Sequence, residues 1–307
     1  MLWLAGLMGL FTVGALGVID LDGSSDDEEQ DGAEETGQTN PPADESVDVS
    51  PVTVQAGDSS DPQISGTDEN DILYGSDTAD WIEGGAGDDI MHGENGADTL
   101  SGGEGNDTIT GGNGDDILTG GAGDDALQGS DGDDLASGGD GNDAVQGGLG
   151  SDTLSGGAGS DTLFGGWGDD LVNGVEDDPD TAAIEDTDDA DYLNGGGGND
   201  TIIAGNDDIV TSGEGADTIV GGSWITDGNA IDIVDFDAAD DNILLIYEDE
   251  TDIPDISLLA DPQNPEITQV FMDGFAVANI LNGASISIED ISVMPLSLAQ
   301  SAGMAPA

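Results

Sequence analysis

GGEGNDTIT (102–110), GGNGDDILT (111–119) and GGAGDDALQ (120–128) stand end to end in a single nine-residue frame. That frame opens at Gly66 and runs without insertion through Asn173, 108 residues or twelve units. Position six is Asp in every unit: Asp71, Asp80, Asp89, Asp98, Asp107, Asp116, Asp125, Asp134, Asp143, Asp152, Asp161 and Asp170. Position eight is apolar in every unit, from Leu73, Ile82 and Met91 to Leu154, Leu163 and Val172. The 52 glycines would fit a disordered chain if they were aperiodic. Here an acid and an apolar residue share one period with them, and a fixed period of this kind marks a solenoid.

Charge is the second constraint. The 307 residues include 69 Asp and Glu, no Lys or Arg and one His, for a formal net charge of −69. Binding of nucleic acid through phosphates and polybasic attachment to anionic lipid both require cationic side chains, so both are excluded. The absence of Cys removes disulfides, thiolate zinc sites and cysteine nucleophiles. Acidic side chains have no ion-pair partner except His92 and the N-terminal amine. A compact state of such a chain repels itself, and a metal cation from outside is the natural counter-charge.

The repeat resembles the glycine-rich calcium-binding nonapeptide of the repeats-in-toxin (hemolysin-type) family, strongly over 66–173 and more weakly over 191–222. The resemblance implies an all-β fold, a parallel β-roll over 63–229 in which two units make one coil. Position-eight residues then point inward, and turns on one flank recur every eighteen residues with Ca²⁺ between them. We expect the first six residues of a unit to form a turn and the last three a short strand. Glycines at positions one, two and four would allow positive φ and inward-facing carbonyls. The implied ligand set is the twelve Asp above with Asp191, Asp200 and Asp217, and the turn glycines Gly84, Gly87, Gly102, Gly105, Gly111, Gly114, Gly120, Gly123, Gly138, Gly141, Gly147, Gly150, Gly156, Gly159, Gly165 and Gly168. Calcium accepts six to eight hard oxygens at about 2.3–2.6 Å, a set that carboxylates and carbonyls together can supply. Six turns per flank leave five gaps each, hence up to about ten ions in the main block.

The two flanks differ. Gly84, Gly102, Gly120, Gly138 and Gly156 open five complete GGxGxD turns in succession on one. On the other, Glu94 and Ser130 replace the second glycine.

Around the repeats, residues 1–19 carry no charged side chain and are long enough for a hydrophobic helix, either a membrane anchor or a signal-like segment. Residues 20–62 are acidic, poor in large apolar groups and read as a disordered linker. An acidic insertion at 174–190 reads as an exposed loop, after which the frame returns through GGGGNDTII (195–203), a shortened unit at 204–211 and SGEGADTIV (212–220). From 230 to 307 β-branched residues rise and glycine thins, consistent with a small antiparallel β cap. Within it, ITQVFM (267–272) and FAVANI (275–280) flank the hairpin dipeptide Asp273-Gly274, and SISIEDISV (285–293) alternates like a strand. Covering the solenoid end would protect an unpaired sheet edge.

Catalytic signatures are missing: one His cannot make H-E-x-x-H, no G-x-S-x-G occurs, and phosphoryl transfer would lack any Lys or Arg. The expectation is a non-enzymatic calcium-binding protein, secreted or surface-exposed, whose roll folds on meeting extracellular calcium. Family members typically leave through a type I exporter, and the uncharged tail LSLAQSAGMAPA (296–307) is compatible with that partner. The rival reading is a calcium-stiffened adhesive or matrix spacer held at the membrane by 1–19; a toxin is weaker, for want of an amphipathic pore-forming region. Oligomeric state is left open.

Overall fold

Strands form where the nonapeptide alternates, and they are longer than expected. In the computed structural model, which describes residues 53–56, 63–176, 186, 189–226, 228–249, 252–281 and 286–305, a full strand of the main block has six residues rather than three. Thr99–Glu104, Ile117–Ala122 and Leu135–Asp140 each take positions seven to nine of one unit and one to three of the next. Their second and fourth residues are buried, the period-two alternation of a pleated strand. The expected six-residue turn is therefore only about three residues, because the leading glycines stay in the ladder: Gly103 pairs with Gly85 and Gly121.

Successive strands go to opposite sheets, one of thirteen strands and one of eleven. Trp81–Ala86 pairs in parallel with Thr99–Glu104, Trp81 opposite Thr99, a shift of eighteen residues. One coil is thus two units, and the chain is a parallel β-solenoid. Position eight fills the space between the sheets, with Leu73, Ile82, Met91, Ile109, Leu154 and Leu163 wholly buried. One such side chain per nine residues makes a thin core. The insertion is absorbed without breaking the sheet: Thr162 pairs with Tyr192 thirty residues on. The shortened unit brings the spacing to seventeen, Tyr192 opposite Ile209.

Beyond the roll, Ile256–Ala260, Thr268–Met272 and Phe275–Ile280 form an antiparallel meander joined to the thirteen-stranded sheet through Ile231–Ile233. Asp273 and Gly274 both take positive φ, 53° and 89°, as a two-residue hairpin turn requires. Residues 286–293 depart from the strand expected over 285–293. Ser287 caps a 3₁₀ turn at Ile288–Asp290 by a reciprocal capping box with Asp290, and the strand starts only at Ile291–Pro295. It pairs with Asn242–Tyr247 and leads into one short helix, Leu296–Ser301. A second departure lies in the stretch read as linker. Thr53–Ala56 is a strand paired in parallel with Asp71–Tyr74. The remainder of 1–62, including the hydrophobic segment, falls outside the described residues, as does most of 174–190. Among the described residues no helix is long and apolar enough to cross a membrane.

Candidate metal centre

The position-six Asp closes each turn and immediately precedes the next full strand, so its side chain is held at the seam between coils. Its Oδ1 accepts the backbone N–H of the Asp one coil earlier: Asp89 donates to Asp107 at 2.8 Å, Asp107 to Asp125 at 2.7 Å and Asp125 to Asp143 at 2.7 Å. The ladder crosses the insertion, Asp161 donating to Asp191 and Asp170 to Asp200, each pair thirty residues apart. All fifteen Asp expected as ligands are buried. Each keeps one carboxylate oxygen that is buried and has no hydrogen-bond partner. At the first coil, Asp71 and Asp80 use Oδ2 to hold their own turns through Thr67 and Ser76, and there Oδ1 is the oxygen left over.

The leftover oxygens point into one kind of space. A Cβ on Gly93 would stand 2.5 Å from both Asp98 Oδ2 and the Gly111 carbonyl oxygen. Gly102, Gly111, Gly120, Gly129, Gly138 and Gly147 repeat this arrangement with their own Asp and the next coil's glycine carbonyl. Position one is therefore glycine for room, not for backbone freedom, which corrects the expectation of positive φ there. Positions two and four do take positive φ, as at Gly103 (119°) and Gly105 (127°). Glu94 (77°) and Ser130 (96°), which replace the second glycine within the block, are held in the same unfavourable region, whereas Thr67 and Ser76 at position two of the first two units are not.

An unpartnered buried carboxylate oxygen costs on the order of 1–3 kcal/mol, and more when charged. Burial accordingly pushes the carboxyls of Asp89, Asp98, Asp116, Asp134, Asp143, Asp152 and Asp217 up to about 6. Asp125 and Asp200 rise to about 7 by the same cause. The donated N–H opposes each rise, and neighbouring carboxylates add to it. Asp191 reaches about 9, through burial first and the Asp208 charge second.

These residues fit a hard divalent cation. The row supplies anionic oxygens and glycine carbonyls around space that a single methyl would fill. Among the described residues no three carboxylate or imidazole side chains converge on one point, so backbone carbonyls must provide much of any coordination shell. That is calcium's chemistry rather than that of a metal demanding nitrogen or sulfur.

Two buried ladder members were missed from the sequence. Asp208 Oδ1 accepts from Asp191 N–H, and Asp241 Oδ1 from Asp217 N–H at 3.1 Å. Both had a signal: Asp208-Ile209-Val210-Thr211 and Asp241-Asn242-Ile243-Leu244 repeat the order of positions six to nine without the glycines before them. Both differ from the fifteen in having Oδ2 occupied as well: Asp208 accepts from Gly205 N–H at 2.7 Å, and Asp241 accepts from Asp237 N–H at 2.8 Å and from the Ser212 hydroxyl at 3.2 Å. Asp186 of the insertion packs on Gly205 and accepts from Asn206 N–H.

The family model for the RTX calcium-binding nonapeptide repeat (four copies) matches residues 65–100, 92–127, 119–154, 146–178, 184–208 and 205–223. No curated protein matches the chain. Among solved structures it is similar to the extracellular lipase LipA from Serratia marcescens, with 16% identity, a TM-score of 0.23 and coverage of 76% of this chain and 40% of that one. The chain thus spans less than half the length of that lipase.

Proposed function

Because the chain belongs to the RTX calcium-binding nonapeptide repeat family, we propose that it is a non-enzymatic, secreted or surface-exposed protein whose roll folds on meeting extracellular calcium. The observation that carries this reading is the row of fifteen buried Asp, each with one oxygen that nothing among the described residues satisfies. Calcium would supply positive charge to that row. Asp89, Asp107, Asp125 and Asp143 would hold it on one flank and Asp98, Asp116, Asp134 and Asp152 on the other, beside the position-one glycine carbonyls. Ten ions would bring +20 to a block whose 25 acidic residues are otherwise uncompensated.

The protein's own part is to hold each Oδ1 by a backbone N–H, leaving the second oxygen fixed and unsolvated. With a thin core, metal then decides the balance between folded and unfolded chain. At free calcium about 100 times a site's dissociation constant, each site adds about 2.7 kcal/mol. Circular dichroism during calcium titration of metal-depleted protein tests this. The expected result is conversion from an expanded chain to β structure, with magnesium much less effective because it demands strict octahedral geometry at short distance. A spectrum already folded in chelator, and unchanged by calcium, overturns the folding claim.

Export through a type I system is part of this reading, supported by the family and by the uncharged tail. A membrane-anchored spacer is the second reading, supported by the uncharged run 1–19. Fractionation into membrane and culture medium separates the two.

A further inference from the structure

The two sheets of the roll differ on their outer faces in a way the metal turns do not use. On the thirteen-stranded sheet, positions nine and three stand either side of the turn glycines. The trough between them has a volume of about 410 Å³ where Phe164, Trp167, Asn194, Thr211 and Glu214 line it. The same trough reappears on the same sheet beside His92, Thr110, Asn113 and Asp131, with about 270 Å³. It follows the solenoid axis across the strands, since these residues are register partners: Phe164 is opposite Gln146 and Asn194, and Trp167 is opposite Leu149 and Gly197.

Many of the corresponding positions of the eleven-stranded sheet are small, with Ser101, Thr119 and Ser137 at position nine and Ala86, Ala122 and Ala158 at position three, and a single amide, Asn173, stands among them. Aromatic and amide side chains at these positions are concentrated on one face. Acids are not: Glu94, Asp131, Glu214 and Asp235 line the trough, while Glu83, Glu104 and Asp140 stand on the other face.

The aromatic geometry suits a flat ligand. A Cβ on Gly197 would meet Cε3 and Cζ3 of Trp167 at 3.3 Å, so the indole lies over the neighbouring strand's backbone while the side chain stays 65% exposed. Further along the same row the rings of Tyr74 and His92 are stacked, 5.0 Å apart and 16° from parallel. Between these ends, Gln128 and Gln146 are exposed.

We propose that this trough binds an uncharged, hydroxyl-rich polysaccharide laid along the roll axis. Trp167 and Phe164 stack on the C–H faces of sugar rings, and Gln128, Gln146 and Asn194 exchange hydrogen bonds with hydroxyls. The chain's charge of −69 without a single Lys or Arg turns away anionic polymers. A basic partner would follow the acids, which do not distinguish the two faces; the aromatics and amides do. The inference needs the roll folded and makes no use of the metal turns.

The test is affinity electrophoresis of the full calcium-treated chain through gels containing amylose, galactomannan or mixed-linkage β-glucan, with alginate, chitosan and polylysine as charged comparisons. The expected result is retardation by at least one uncharged polysaccharide. Trp167→Ala should weaken it by about tenfold, the loss typical of an aromatic anchor, while Trp81→Ala, on the opposite sheet, leaves it within twofold. Circular dichroism of each variant is compared with the parent first, and Phe164→Ala replaces Trp167→Ala if the latter changes the spectrum. Retardation by none of the three uncharged polymers, equal losses in the two tryptophan variants, or retention by chitosan or polylysine alone overturns the proposal.

Discussion

The backbone N–H of Asp107 donates to Oδ1 of Asp125 at 2.7 Å, while Oδ2 of the same Asp125 is buried without a partner. One carboxylate thus does two separate things. Half of it stitches coil to coil, and the other half is held ready in a space bounded by Gly120 and the Gly138 carbonyl. The metal-free roll consequently carries a penalty at every turn.

Removing Asp125 should hurt more than removing Asp134. Asp125→Ala leaves the Asp107 N–H without its acceptor, a loss of about 1–3 kcal/mol, and damages two gaps between complete turns. Asp134→Ala does the same to Asp116, but its turn already contains Ser130 at a positive φ of 96°. The calcium midpoint of folding is expected to rise at least twofold more for Asp125→Ala. Equal midpoints or the reverse order would show that the second glycine does not govern site strength.

Restoring glycine should strengthen the weaker flank. Glu94 and Ser130 hold φ of 77° and 96°, a region that costs a residue with a Cβ about 1–2 kcal/mol. Glu94→Gly and Ser130→Gly are expected each to lower the calcium midpoint and raise the melting temperature by a few degrees, measured by circular dichroism. A higher midpoint in both variants would refute the strain argument.

Gly120→Ala probes the cradle itself. The new methyl would collide with the Asp125 carboxylate and the Gly138 carbonyl, although the backbone at Gly120 needs no positive φ. The variant should need at least as much calcium to fold as Asp125→Ala. Isothermal titration should also find fewer ions bound per chain. Unchanged stoichiometry would place the cation elsewhere in the turn.

Acid should act in opposite directions with and without calcium. Burial raises the folded carboxyls of Asp125 and Asp200 to about 7 and those of Asp98 and Asp116 to about 6, against an ordinary 3.8. The folded chain therefore binds protons more readily than the unfolded one. Metal-free folding gains stability as pH falls through about 7 to 6, and the gain is complete below 3.8. With calcium present, protons compete for the same oxygens and the calcium midpoint rises as pH falls. Circular dichroism of metal-depleted protein at pH 8 and pH 5 checks the first sign, and calcium titrations at pH 7.5 and 6 the second.

Much of this was already legible in the order of residues. A nine-residue period carrying one Asp and one apolar side chain determined the parallel roll, its two-unit coil by family resemblance, its core and fifteen of its ladder carboxylates, because each unit meets only copies of itself one coil away. The hairpin at Asp273-Gly274 was equally local, since both residues tolerate the φ that the turn imposes. Tertiary structure alone decided the rest. Only the stacking of coils shows that Oδ1 is consumed by a backbone N–H and Oδ2 is left over, and that position-one glycine exists to leave room. Asp208 and Asp241 entered the ladder through spatial register, which glycine spacing does not encode. Residues 288–290 became a capped 3₁₀ turn because Ser287 and Asp290 satisfied each other's backbone groups before a strand could begin. The gathering of Phe164, Trp167 and the glutamines on one face depends on which sheet each unit joins, and that assignment exists only once two units close a coil.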